Sequence, residues 1–225
     1  MLRSIKPNYK QILLLLSGCF LLSTTALAHT INYALEKAPA GDVVWYYLKL
    51  GFQHIIPQGP DHILFVISLC LLSTKIKTII WQASAFTVAH TLTLALSMRN
   101  IIVAPPAVVE PIIALSICFV AIENMLIKDL KAWRVLIVFL FGLIHGMGFA
   151  SALNEIGLPR SQFYTSIFSF NIGVELGQLA VIVAVFSLFI SNWGKKLWYR
   201  KLIVYPLSIC IALIAGWWTV ERVFF

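Results

Sequence analysis

Trp133 to Leu153 reads WRVLIVFLFGLIHGMGFASAL, a run with one charge in its first turn and one imidazole near its middle. At about 1.5 Å of rise per residue, some 20 apolar residues span a hydrocarbon core of about 30 Å, so this run predicts a membrane-crossing helix. Gly142 and Gly146 flank His145 in a small-xxx-small pattern that lets a neighbouring helix come close, which turns His145 toward the bundle interior. Comparable apolar runs lie near 60–74, 77–98, 105–127, 163–191 and 199–221, giving six predicted transmembrane helices in all. The chain of 225 residues is 60% hydrophobic and 12% charged, with a mean hydropathy of +0.90, and has too few charges to coat a soluble core. An all-α, polytopic membrane helix bundle in contact with lipid is the expected fold class.

Residues 1–28 carry a basic start, an apolar core near Ile12 to Leu22 and the small-residue ending Ala26-Leu27-Ala28, the pattern of a cleaved signal peptide. Leu16-Ser17-Gly18-Cys19 offers a rival lipoprotein reading, although the apolar run continues past Cys19. Cleavage after Ala28 leaves residues 29–225 as a single transmembrane domain beginning at His29, whose α-amine and imidazole form a chelating pair. Val43 to Ile56 is apolar and aromatic but too short to cross alone. It reads as an interfacial or re-entrant helix, or as the first half of a span broken at Pro57, Gly59 and Pro60.

The formal charge of +8 does not mark a nucleic-acid surface, because the basic residues are scattered through loops and the leader. Lys75, Lys77, Lys128, Lys131, Arg134, Lys195, Lys196, Arg200 and Lys201 fall on one side of the predicted membrane. Lys37, Lys49, Arg99, Arg160 and Arg222 fall on the other. The richer side is cytoplasmic by the positive-inside rule, which puts both mature termini in the periplasm of an inner-membrane protein. Cys70, Cys118 and Cys210 each stand alone in apolar runs and are expected as free thiols.

Ionisable groups inside spans are costly unless they face the interior and find partners. His54, Asp61 and His62 flank the predicted break, and His90, Glu110, His145 and Glu175 all count to a depth between the midplane and the periplasmic face. Imidazoles and carboxylates without thiolates suit a borderline divalent metal such as Ni, Co or Zn. Thr87, Thr91, Asn171 and Gln178 share helix faces with His90 or Glu175 and are candidates for orienting the ligands. Glu123 and Asn124 belong near the cytoplasmic end, as a gate or a helix-end pair. Each of these residues also has a structural reading, as a hydrogen-bonded member of the bundle.

Five segments in order resemble the HupE/UreJ family of bacterial membrane proteins: GFQHIIPQGPDHILF (51–65), FTVAHTLTLAL (86–96), VEPIIALSI with AIEN (109–117 and 121–124), FGLIHGMGFASAL (141–153) and FNIGVELGQLAV (170–181). The resemblance implies divalent metal uptake of the nickel or cobalt type, with the family's metal signature falling on His54, Gly59, Asp61 and His62. Seven residues separate the two histidines here and the proline sits at Pro57, whereas the commoner form is HPxxGxDH; the spacing resembles the second, broader branch of the family. A metal-handling permease, with metalloenzyme-maturation partners or a homo-oligomeric state, is thus the leading expectation. A membrane-embedded zinc-type hydrolase with Glu175 as base, and an accessory metal-binding subunit, are the alternatives, although no HExxH or GxSxG motif is present.

Overall fold

The computed structural model describes residues 34–127 and 130–225. The expected leader, Cys19, the candidate ligand His29 and loop residues Lys128 and Asp129 lie outside the described residues. In chain order the main helices are α1 (Ala40–Ile55), α2 (Pro60–Leu71), α3 (Ile76–Met98), α4 (Pro106–Leu126), α5 (Arg134–Ile156), α6 (Phe163–Val185) and α7 (Tyr205–Phe224). A wide π turn at Phe186–Ile190 carries α6 on to Trp193, and another at Arg200–Val204 leads into α7. No strand occurs among the described residues.

Five helices, α3 to α7 with these extensions, are long and apolar enough to cross a membrane. Their bounds follow the predicted runs closely, because lipid leaves backbone groups no partner outside the helix itself. Polarity is arranged inside out. Arg134, Glu123 and His90 are buried, whereas Trp81, Leu92, Leu136, Phe168, Leu213 and Trp217 are exposed. A water-soluble protein does the reverse, so this surface is built to meet lipid. The chain is a polytopic helical membrane protein.

The first predicted run is a helix of only 12 residues, α2, and α1 has 16. Neither crosses alone. Together they run beside α6 in the same direction: Tyr47 Oη donates to the Gly157 carbonyl just ahead of α6 at 2.7 Å, and Gly51 packs on the backbone of Phe170. Ile55 packs on Gly177, and Thr74 lies against Gly194 at the far end. Of the two readings of Val43–Ile56, this pairing favours one broken helix. Close approach makes it feasible, since a Cβ on Gly51 would overlap the Phe170 carbonyl and one on Gly173 the Leu48 carbonyl.

The same device joins α3 to α5, where a Cβ on Gly142 or Gly146 would strike the carbonyls of Phe86 and His90. α4 and α7 pair in opposite directions: Arg222 reaches Glu110 at one end, and Arg200 reaches the carbonyls of Asn124 and Ile127 at the other. Ahead of α1, the Glu36 carboxylate accepts the backbone N–H of Ser161 at 3.1 Å and of Arg160 at 2.7 Å. These donors hold its carboxyl below the ordinary value. Among the described residues Cys70, Cys118 and Cys210 are free.

Candidate metal centre

The break between α1 and α2 creates the site. Gly59 caps α2 and Pro60 opens it, and the chain turns so tightly that a Cβ on Gly59 would overlap the His54 carbonyl. A side chain there would also meet His62 Nδ1 at 3.4 Å. His54 at the end of α1 and His62 in the first turn of α2 therefore face each other, with ring centroids 4.6 Å apart. His90 of α3 lies 6.2 Å from His54 and 6.0 Å from His62 by the same measure, and His145 of α5 lies 5.2 Å from His62. One ring nitrogen from each of His54, His62 and His90 falls within 4.8 Å of the others.

The hydrogen bonds choose the tautomers. Asn171 Nδ2 donates to the Ile167 carbonyl at 2.8 Å, which fixes its amide so that Oδ1 faces His90 Nδ1 at 3.1 Å. That oxygen can only accept, so His90 carries its proton on Nδ1 and presents a lone pair at Nε2. Ser116 Oγ uses its single proton on the Ile113 carbonyl at 2.7 Å and accepts from His145 Nε2 at 3.1 Å, which leaves the lone pair of His145 on Nδ1. His54 Nε2, His62 Nε2, His90 Nε2 and His145 Nδ1 are all buried without a hydrogen-bond partner. An unmet buried polar atom costs about 1–3 kcal/mol, so a cluster of four asks for a ligand.

Two nitrogens on one tetrahedral ion at ~2.0–2.1 Å are separated by roughly 3.4 Å. The trio's upper bound of 4.8 Å is compatible with that spacing. Phe149 stacks near His54 with centroids 3.9 Å apart, and Phe86 packs edge-on to His145 at 4.9 Å, so the imidazoles sit in an aromatic wall. A cavity of about 260 Å³ reaches from His54, His62 and His145 out to Asp61, Glu110 and Arg222. At its rim Arg222 Nη2 donates to both Asp61 carboxylate oxygens at 3.0 Å, and Arg222 Nη1 donates to the Glu110 carbonyl at 3.2 Å.

Not every candidate reaches this cavity. Glu175 accepts from Ser84 Oγ at 2.6 Å and lines a separate, mostly apolar groove between α3 and α6, together with Thr91. Thr87 Oγ1 lies 3.1 Å from Gln178 Oε1, and Thr91 Oγ1 donates to the Thr87 carbonyl, so of the four orienting candidates Asn171 is the one hydrogen-bonded to an imidazole. Glu123 and Asn124 lie at the other end of α4, where buried Arg134 makes an ion pair with Glu123 at 3.3 Å and donates to Asn124 Oδ1 from both Nη atoms at 3.2 Å.

The sequence pattern described as HupE / UreJ protein matches residues 29–222. The chain belongs to the HupE/UreJ family. No curated protein and no solved structure gives a match to it. In this HupE/UreJ chain three contributors escaped the sequence reading: Ser116, which sets the His145 tautomer, Arg222 at the cavity rim and Arg134 beside Glu123. Ser116 and Glu123 are seven residues apart on α4 and so share a face, a spacing that could have revealed Ser116. In the sequence, Arg134 and Arg222 carry a topology signal alone.

Proposed function

We propose that this protein is a divalent metal permease of the inner membrane, taking up a cation of the nickel or cobalt type through the imidazole cluster. The carrying observation is the set of four buried imidazole nitrogens that lack hydrogen-bond partners, three of them on residues, His54, His62 and His145, that line a cavity shared with Asp61 and Glu110. Neutral imidazoles are good ligands for Ni, Co and Zn, and the absence of thiolate at the cluster disfavours Cu(I). His54, His62 and His90 are the ligands in this reading, with His145 as a fourth and Asp61 and Glu110 as acids on the way in. Asn171 and Ser116 hold the rings in their metal-binding tautomers. A helix broken at the site is also how transporters expose backbone and side chains to an ion at membrane depth.

In the same reading residues 1–28 form a leader and 29–225 one membrane domain, with the cavity opening to the periplasm. The family match starting at residue 29 agrees with that boundary, and the richer basic loops at the end away from the cavity support the orientation. The hydrolase alternative has less support, because Glu175, the base it requires, lines the groove between α3 and α6 and not the imidazole cavity. The test is accumulation of nickel, cobalt or zinc by cells expressing the wild type, beside cells expressing His62→Ala at equal membrane abundance. Uptake is expected to fall to the level of cells lacking the protein. Equal accumulation by the two strains for every metal rejects transport through this cluster.

A further inference from the structure

Arg222 is the last basic residue of the chain, and it lines the same cavity as His54, His62 and His145. Its Nη2 holds both oxygens of Asp61, its Nη1 holds the Glu110 carbonyl, and its side chain lines the cavity. Asp61 sits in the first turn of α2, one residue before His62. The guanidinium thus occupies a seat made of three oxygens, immediately outside a seat made of nitrogens. Both partners are about one-fifth exposed, at 21% and 22%, so water can exchange around the pair.

We propose that Arg222 is a tethered cation filling the outer seat for the transported dication, which must displace it from Asp61 before reaching the imidazoles. This rests on reading the imidazole cluster as a divalent-cation site. Three physical points carry it. A guanidinium cannot lose its charge at any relevant pH, so the seat stays filled until another cation takes over. A dication interacts with the same carboxylate about twice as strongly as a monovalent group at equal distance, so it competes where sodium or potassium does not. The arm keeps a second partner when Asp61 is taken, since its guanidinium carbon already lies 5.5 Å from the Trp218 ring centre, within cation–π range.

The arrangement makes Arg222 a selectivity element. Competition from a tethered cation lowers the apparent affinity of every ion by the fraction of time the seat is free, which screens out weak binders. It also explains why an acidic residue next to a ligand histidine is tied to a helix that contributes nothing else to the cluster.

Nickel chloride binding to the purified full-length protein, measured by titration calorimetry, tests this. Arg222→Gln is expected to bind nickel about tenfold more tightly, as removal of a competing state implies. Arg222→Lys keeps the charge and stays near the wild type, and Asp61→Asn combined with Arg222→Gln loses the gain. Should Arg222→Gln fail to fold, the wild type supplies a second measurement: phenylglyoxal labelling of Arg222, read by peptide mass spectrometry, is expected to quicken several-fold at saturating nickel. Wild-type binding that depends on His62, together with an Arg222→Gln affinity equal to it or an unchanged labelling rate, overturns the tethered cation and leaves the permease reading intact. Binding of none of nickel, cobalt and zinc chloride to either protein overturns both.

Discussion

Two arginine–carboxylate pairs stand at opposite ends of the bundle, and they differ in almost everything but composition. Arg222–Asp61, at the end that is outer in the proposed orientation, has both Asp61 oxygens 3.0 Å from one guanidinium nitrogen and both partners partly exposed; Arg134–Glu123, at the end that is inner in that orientation, is 3.3 Å long, with exposures of 1% and 5%. Neither Glu123 oxygen has a hydrogen-bond partner despite the ion pair, and Arg134 Nε has none either. A partly hydrated pair exchanges its bonds with water at little net cost, so it can open. A buried pair has already given up its hydration and depends on its partner, so it stays shut. The outer end is built to be disturbed and the inner end to hold.

The sharpest way to break this comparison is to remove half of the inner pair. Arg134→Ala leaves Glu123 as an uncompensated buried charge and deprives Asn124 Oδ1 of both its Arg134 donors, while Asn124 Nδ2 still holds the Ser68 carbonyl at 2.8 Å. A loss of about 3–5 kcal/mol is expected, read as a steep fall in thermal unfolding midpoint in detergent. Replacing both partners with apolar residues, Arg134→Met with Glu123→Leu, should recover most of it. If the single and double variants unfold alike, the inner pair is not a lock.

An intermediate effect is expected at the imidazoles, which contrast with both pairs because one buried nitrogen of each ring has no hydrogen-bond partner in the protein. Asn171→Ala removes the acceptor that keeps the His90 proton on Nδ1, without touching any candidate ligand. Loss of such an orienting partner typically weakens metal binding 10- to 100-fold, or about 1.4–2.7 kcal/mol. Nickel titration of the purified variant checks it, with an unfolding midpoint near the wild type showing that the fold survives. Unchanged affinity would mean that His90 is not held for a metal.

The two ends also differ in how far the sequence discloses them. Hydropathy marks the long helices because lipid allows one backbone solution, and counting 1.5 Å per residue along them brings His90 and His145 to the level of His62. Depth, however, does not give azimuth. Glu175 shares a level and a polar stripe with Asn171, and both line the groove between α3 and α6, yet Asn171 reaches His90 whereas Glu175 accepts from Ser84. The break at Pro57 to Pro60 was visible as punctuation, while the choice between a re-entrant helix and a broken span needed the pairing of α1 with α6. Long-range charge pairs were invisible: Arg222 and Asp61 are 161 positions apart, and no local pattern connects them.

The smallest expected effect is the stability cost of opening the outer pair. Arg222→Gln removes a charge-assisted bond to both Asp61 oxygens, which in a buried setting would be severe, but here both groups already share water with the cavity. Exposed pairs of this kind contribute roughly 0.2–1 kcal/mol, so the unfolding midpoint of Arg222→Gln in detergent should lie close to that of the wild type and far above that of Arg134→Ala. Asp61→Asn should match it, since either change empties the same pair. A loss as large as the inner one would identify Arg222 as a fastener of α7 to α2, and a group that the fold cannot release is unsuited to yielding its place to an ion.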